Sequence, residues 1–169
     1  PVDGLLEELR RLLDGIRMTR EASPRLRARV MSFGELASTF LGVAALNCHG
    51  LSATRVDARD LLRTDEDAEV LPAERSLSAD VRPRRATGQA ESLAGEAEIV
   101  ITQGFIASNS RGETCLLGRG GSDTSGALFA ALLGAKRLEI WTDVHGLFSS
   151  DPRRLPSARL IHRTSYREA

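Results

Sequence analysis

Leu5, Leu9, Leu12, Leu13 and Ile16 recur three and four positions apart, with arginines and acids between them, and predict an amphipathic helix at the start of the chain. Ser23 before Pro24 has the form of an N-cap followed by proline at the first helical position. Leu26, Val30, Phe33, Leu36, Phe40, Leu41 and Val43 then carry a helical pattern to Gly50, placed as a C-cap. Gly34 interrupts this run, and Ser32 and Glu35 have capping-box spacing, so the pattern predicts two helices meeting near Ser32. Cys48-His49 falls at a helix end.

Ala53 to Ala58 alternates enough for a strand. Between Thr64 and Pro83 apolar residues thin out and charges accumulate, which predicts a long surface excursion, with a short helix after it over Gln89–Glu96. Glu98-Ile-Val-Ile-Thr102 is a buried strand ending at Gln103-Gly104. A polar turn over Ser108–Gly112 precedes a strand over Glu113–Leu117. A glycine-rich loop follows, then a helix from about Ser122 to Gly134 and a strand over Leu138–Thr142 with Trp141 in the core. Asp143–Pro156 is loop, with Asp151-Pro152 as a turn, and Ser165 with Glu168 marks a helix start. Strands alternating with helices predict an α/β sandwich around a largely parallel sheet. The chain divides into substrate-side helices over 1–64, the excursion over 65–97, and a glycine-loop and nucleotide-side segment over 98–169. Both ends have the look of a cut.

Composition narrows the chemistry. The chain has 169 residues, enough for one domain with a substantial core. Its formal net charge is zero, so no global field would gather nucleic acid or an anionic membrane. No stretch is expected to be long and apolar enough to cross a bilayer, and no signal pattern opens the chain. Cys48 and Cys115 lie in unrelated segments, and His145 and His162 have no ligand-spaced partners, so neither a disulfide framework nor a metal site is expected. A reducing cytoplasm is the default setting. Lys136 is the only lysine among many arginines, which matters for any phosphate chemistry.

Gly118-Arg119-Gly120-Gly121-Ser122-Asp123 lies between a strand and a helix, which makes an anion site: glycines admit a ligand to the backbone, and free N–H groups with the helix dipole favour negative charge. The plainer reading is a tight connection capped by Ser122 or Asp123. The P-loop pattern fails for want of Gly-Lys-Ser/Thr, and the dinucleotide fingerprint fails on spacing. Arg119 within the loop suits bidentate capture of a carboxylate or phosphate.

Gln103-Gly-Phe-Ile106, Thr114-Cys-Leu-Leu-Gly-Arg-Gly-Gly-Ser-Asp123 and Ile140-Trp-Thr-Asp-Val-His-Gly-Leu-Phe-Ser-Ser-Asp-Pro-Arg153 together resemble, in order and spacing, the signature blocks of the aspartokinases. Ser32-Phe-Gly-Glu35 through Ser38-Thr39 is similar to an upstream block of that family. The resemblance implies the amino-acid-kinase (carbamate-kinase-like) fold, a three-layer α/β/α sandwich, here incomplete at both ends. It implies transfer of the ATP γ-phosphoryl group to the side-chain carboxylate of L-aspartate with Mg2+, at the head of lysine, threonine and methionine synthesis, in a homo-oligomeric parent. By position it implies that Glu35 holds the substrate α-ammonium and Arg119 its α-carboxylate. Gly120, Gly121 and Ser122 would line the substrate and phosphate site, and Phe105 would wall it. Asp123 would organise catalysis, and Thr142, Asp143, Phe148 and Arg153 would surround the nucleotide. Glu35 stays open between this clamp and a capping box with Ser32, and both roles can coexist.

Two departures qualify the likeness. His145 stands where many relatives have proline, and Phe148 where they have tyrosine. The family's opening Lys-Phe-Gly-Gly does not precede Val2, and a second phosphate-side lysine of the family pattern lies beyond Ala169. Lys136 cannot replace either, being roughly 20 Å along its helix from the glycine loop at about 1.5 Å per residue. The expectation is a catalytically incompetent chain within an active parent, which could be fused to diaminopimelate decarboxylase or homoserine dehydrogenase. The alternatives are another amino-acid kinase, for glutamate, acetylglutamate or UMP, and a non-catalytic amino-acid-binding module.

Overall fold

Two long helices open the computed structural model, which describes residues 2–64, 73–83, 97–165 and 167–168. Helix α1 (Val2–Thr19) turns its leucine stripe toward α2 (Pro24–Cys48). The Ser23 hydroxyl accepts from the Leu26 N–H at 3.2 Å, as its N-cap position requires. The far end closes in a Schellman motif: Gly50 has φ +80°, Leu51 N–H bonds the Leu46 carbonyl at 3.1 Å, and Gly50 N–H bonds that of Asn47 at 3.0 Å.

The expected break near Ser32 does not occur. The Ser32 hydroxyl donates to the Arg29 carbonyl at 2.7 Å, so it caps nothing, and Glu35 completes no capping box. Gly34 costs a helix interior about 1 kcal/mol. Burial of the flanking Phe33 and Leu36 returns about 2 kcal/mol each, and continuity wins. Helix α2 is also long and apolar enough, by length and composition, to cross a membrane, contrary to the sequence expectation. Its buried stripe of Ala28, Ser32, Phe33, Leu36 and Thr39, set against strands and α1, is that of a core helix.

Strand β1 (Ala53–Arg55) pairs in parallel with β4 (Ile99–Ile101). A second sheet has the order β3 (Val81–Pro83), β2 (Leu62–Thr64), β5 (Ile106–Ser108), β6 (Thr114–Leu116). Within it β2–β5 is parallel, while β2–β3 and β5–β6 are antiparallel. The α/β class holds, and antiparallel pairs share the sheets with parallel ones. Strand β5 falls where the sequence pattern predicts no element, and it draws Ser108, the first residue of the expected turn, into its ladder. Asn109 makes the turn, its Oδ1 accepting from Arg111 N–H at 3.0 Å and Glu113 N–H at 2.9 Å.

The excursion drawn over 64–83 is built into the fold where it is described. A 3-10 turn (Ala73–Leu77) and β3 lie there, Ala79 is buried, and its N–H bonds the Leu116 carbonyl at 2.8 Å. The helix expected over 89–96 lies outside the described residues. The core gathers Ala28, Leu36, Ala58, Ile106 and Leu116, with Leu5, Leu77, Phe105 and Phe129 packed around it.

Short α3 (Ala58–Leu61) is capped by Asp57, whose carboxylate accepts from Arg59 N–H at 3.0 Å, Nε at 2.8 Å and Nη2 at 2.7 Å. Burial opposes ionisation of Asp57, but these bonds and the charges of Arg59 and Arg55 outweigh it and hold the carboxyl below its usual range. Arg59 also reaches Thr114 at 3.1 Å, tying α3 to β6. Burial pushes the Cys115 thiol up to about 11, leaving it a core residue rather than a nucleophile.

The chain divides into two compact units, 1–138 and 139–169. In the second, Phe148 bridges Leu160 in antiparallel fashion, and Asp151 forms the expected turn, accepting from Arg153 N–H at 2.9 Å. The strand expected over 138–142 is absent: no described strand pairs with it, and Leu138, Ile140 and Trp141 are 44%, 56% and 87% exposed. Trp141 is therefore a surface residue, because without a ladder partner nothing shields it or satisfies its backbone. Ser165 and Glu168 bond to each other, the carboxylate accepting from the Ser165 hydroxyl at 2.7 Å and its N–H at 2.9 Å, which lowers the Glu168 pKa, but the described residues there form a turn and not the expected helix start.

Candidate functional site

The glycine loop closes on helix α4 (Gly121–Leu132). Gly118 and Gly120 take φ +73° and +70°, a conformation that disfavours any residue with a Cβ, and they leave Arg119 between them exposed and unpaired among the described residues. Gly120 is the N-cap, and no side chain caps the helix. Neither Ser122 nor Asp123 is the cap: both are exposed on the first turn, the Gly121 N–H bonds the Gly118 carbonyl at 3.1 Å, and no described side chain accepts from the N–H groups that follow. Asp123 meets no cation among the described residues, so its carboxylate is free to face a ligand.

Phe105 is pressed onto this helix start. A Cβ on Gly121 would lie 2.9 Å from the Phe105 ring and 2.9 Å from Leu117 Cβ, so only glycine fits. Gly104 is tight against Ser122 but less so, 3.2 Å from an added Cβ. Phe105 itself has φ +68°, and the Ile106 N–H bonds the Gly104 carbonyl across it at 2.8 Å. That three-residue turn is strained for a non-glycine residue and persists only where its surroundings hold it. Buried Ser125 does so: its hydroxyl accepts from Phe105 N–H at 3.1 Å and donates toward the Gly121 or Ser122 carbonyl at 2.8 and 2.9 Å.

The structure thus brings Phe105, Gly120, Gly121 and Ser122 together, with Arg119 and Asp123 flanking them. Glu35 is half-buried on α2, and its carboxylate makes no bond with described residues. Its carbonyl accepts from the Thr39 hydroxyl at 3.1 Å, and Thr39 accepts from Gln103 Nε2 at 2.7 Å, so a polar thread runs from Glu35 to the turn before Phe105. Sequence reasoning quoted Gln103 and Thr39 without giving them a role and passed over Ser125. The available signal was polar residues interrupting apolar runs. In the second unit Thr142 donates to Asp143 at 3.2 Å, Phe148 is half-buried, and Arg153 is exposed beside the Asp151 turn.

An α/β scaffold that opens a helix N-terminus behind a glycine-arginine loop matches the family model: the chain belongs to the amino acid kinase family, matched over residues 3–169. Within that family its likeness is to aspartokinases. It is 37% identical to lysine-sensitive aspartokinase 3 of Escherichia coli, the match covering 96% of this chain and 36% of that protein. It is 34% identical to the bifunctional aspartokinase/homoserine dehydrogenase of Buchnera aphidicola, covering 96% of this chain and 19% of that one. The crystal structure of E. coli aspartokinase III in complex with aspartate and ADP superposes with a TM-score of 0.71 at 34% identity, over 95% of this chain and 34% of that one. The chain therefore spans about a third or less of the length of these relatives.

Proposed function

We propose that this chain is the substrate-binding part of an aspartate kinase, which transfers the γ-phosphoryl group of ATP to the side-chain carboxylate of L-aspartate. The observation that carries the reading is the exposed Arg119 guanidinium, held between two left-handed glycines at the uncapped start of α4. An amino acid presents a carboxylate and an ammonium at one carbon, and Arg119 with Glu35 offers the matching pair of charges. Phe105 walls the site and Gly120 and Gly121, having no side chains, admit the reacting carboxylate to the helix start at Ser122, where the Gly121 N–H itself is held by the Gly118 carbonyl at 3.1 Å. The N–H groups that follow it and the helix dipole favour the negative charge that gathers during transfer. Such transfer needs positioning and neutralisation more than covalent help.

Thr142, Asp143, Phe148 and Arg153 are assigned to the nucleotide. Mg2+ fits the donor set in one way: the ATP phosphates would carry the ion and Asp123, exposed and unpaired among the described residues, would hold it through one carboxylate. Bound there, the ion would neutralise phosphate charge. The coverage of the relatives supports a longer working protein; phosphate-facing lysines outside this segment and a homo-oligomeric assembly belong to the same proposal. A place in lysine, threonine and methionine synthesis follows from the reaction, and two free cysteines suit a reducing cytoplasm.

The test is ATP-dependent hydroxamate formation from L-aspartate by the longer protein. Arg119→Ala is expected to raise the aspartate KM about 10- to 100-fold, and Asp123→Ala to lower kcat about 100-fold. Absence of hydroxamate in the unaltered protein would overturn the reading, and equal loss of ATP affinity in both variants would overturn the role assignment. Robust turnover by this chain alone would remove the need for lysines from elsewhere.

A further inference from the structure

Gln103 is completely buried, and both ends of its amide are bonded to different elements. Nε2 donates to Thr39 Oγ1 on α2 at 2.7 Å, and Oε1 accepts from the Ala58 N–H at the start of α3 at 2.8 Å. The partners fix the orientation. A backbone N–H can only donate, so the oxygen faces Ala58; Thr39 directs its own proton to the Glu35 or Leu36 carbonyl at 3.1 or 3.0 Å, so its lone pair faces the NH2 group. One residue further along, Gly104 packs against Ser122 and Phe105 packs against Gly121.

Packing alone does not call for an amide here. An apolar side chain of similar length would fill the same buried space, whereas a buried amide is tolerated only when its bonds are made. One of these bonds connects the α2 turn carrying Glu35 to the segment entering the Phe105 turn, and the other anchors that segment to the start of α3.

We propose that Gln103, acting through Thr39, is a positioning residue for aspartate: it holds the Glu35 end of the amino-acid clamp in register with the Phe105–Ser122 end. The proposal rests on the aspartate kinase reading and adds the device that keeps its two sides together. Gln103 touches no substrate. Glu35 is on α2 and Arg119 on the glycine loop, so neither element alone sets their separation. The amide ties α2 to the segment whose next two residues, Gly104 and Phe105, pack on the end of the glycine loop, and a small displacement of Glu35 relaxes the grip on the α-ammonium.

The experiment uses the longer kinase with Gln103→Met, which keeps the side chain's length and removes both bonds, and with Thr39→Val, which keeps its shape and removes the hydroxyl. Each is expected to raise the aspartate KM about tenfold, as a small displacement of a binding group does, with the ATP KM and kcat within about twofold. The double variant should be no worse than the more affected single one, since the two act as a unit. Hydrogen exchange at the Ala58 amide should accelerate in Gln103→Met and stay slow in Thr39→Val. Equal rises in both KM values, additive effects, or a lowered Tm with unchanged kinetics would each reduce Gln103 to a framework residue. Should Gln103→Met fail to fold, Thr39→Val carries the kinetic test. Hydroxamate absent from the unaltered kinase would instead overturn the aspartate reading itself, and the positioning role with it.

Discussion

Two apolar runs of similar pattern end in opposite states. Ile99–Ile101 is a strand paired with Ala53–Arg55 under α2, where a Cβ on Gly42 would come within 3.3 Å of Ile101. Leu138–Thr142 is exposed and belongs to no sheet among the described residues. Strand propensity in both is sound, since Ile, Val, Trp and Thr favour pleated backbone. The difference is a neighbour that satisfies the amides and covers one face. The same contrast extends to polar groups: Gln103, Thr39 and Ser125 are buried with their bonds made, while Thr142 and Asp143 are exposed and bond to each other.

The contrast can be broken, and the largest effect is expected at its tightest point. Gly121→Ala must displace Phe105 or Leu117 and should cost about 3 kcal/mol, measured by urea unfolding. A cost below about 0.5 kcal/mol would mean that the loop is not packed as described. Asp57→Asn should cost about 2 kcal/mol near neutral pH, through hydrogen bonds to a charged group. Because the native Asp57 pKa is lowered, that contribution is fully present above the ordinary aspartate value of about 3.9 and fades as pH falls through the lower native value. The gap between native protein and variant should therefore close in acid; a gap that is flat with pH would contradict the Arg59 pairing.

Ser125→Ala leaves the Phe105 N–H buried without its acceptor and should cost about 1 kcal/mol or slightly more. Proteolysis or exchange near Phe105 should rise with it. At the other pole, Trp141→Ser should change stability by less than about 0.5 kcal/mol, and the emission of this single tryptophan should be that of a solvated indole, open to acrylamide. A blue-shifted, protected spectrum would erase the contrast between the two runs.

Much of the first unit was legible from local rules. The stripe of Leu5 to Ile16, the Ser23-Pro24 start and the Gly50 stop name their own positions through side-chain period, capping and left-handed backbone. The glycine loop was equally legible, since Arg119 between glycines before a helix is a local pattern. Other features depend on residues far apart in the chain. Gly34 looks like a break until Phe33 and Leu36 are buried. Strand β5 looks like loop until β2 and β6 flank it, and Trp141 looks like core until its strand is found without a partner.

From the residues alone came the family likeness, the α/β class and the identity of the charged and glycine positions of the site, because each is written in short-range spacing. Their assembly came from packing. Phe105 is held at φ +68° by Ser125, twenty residues away. The Glu35 turn is joined to the segment entering the Phe105 turn through Thr39 and Gln103, which are 64 residues apart. Buried polar bonds of that kind have no period and no local cost to betray them. They exist only when the elements that exclude water from them have come together.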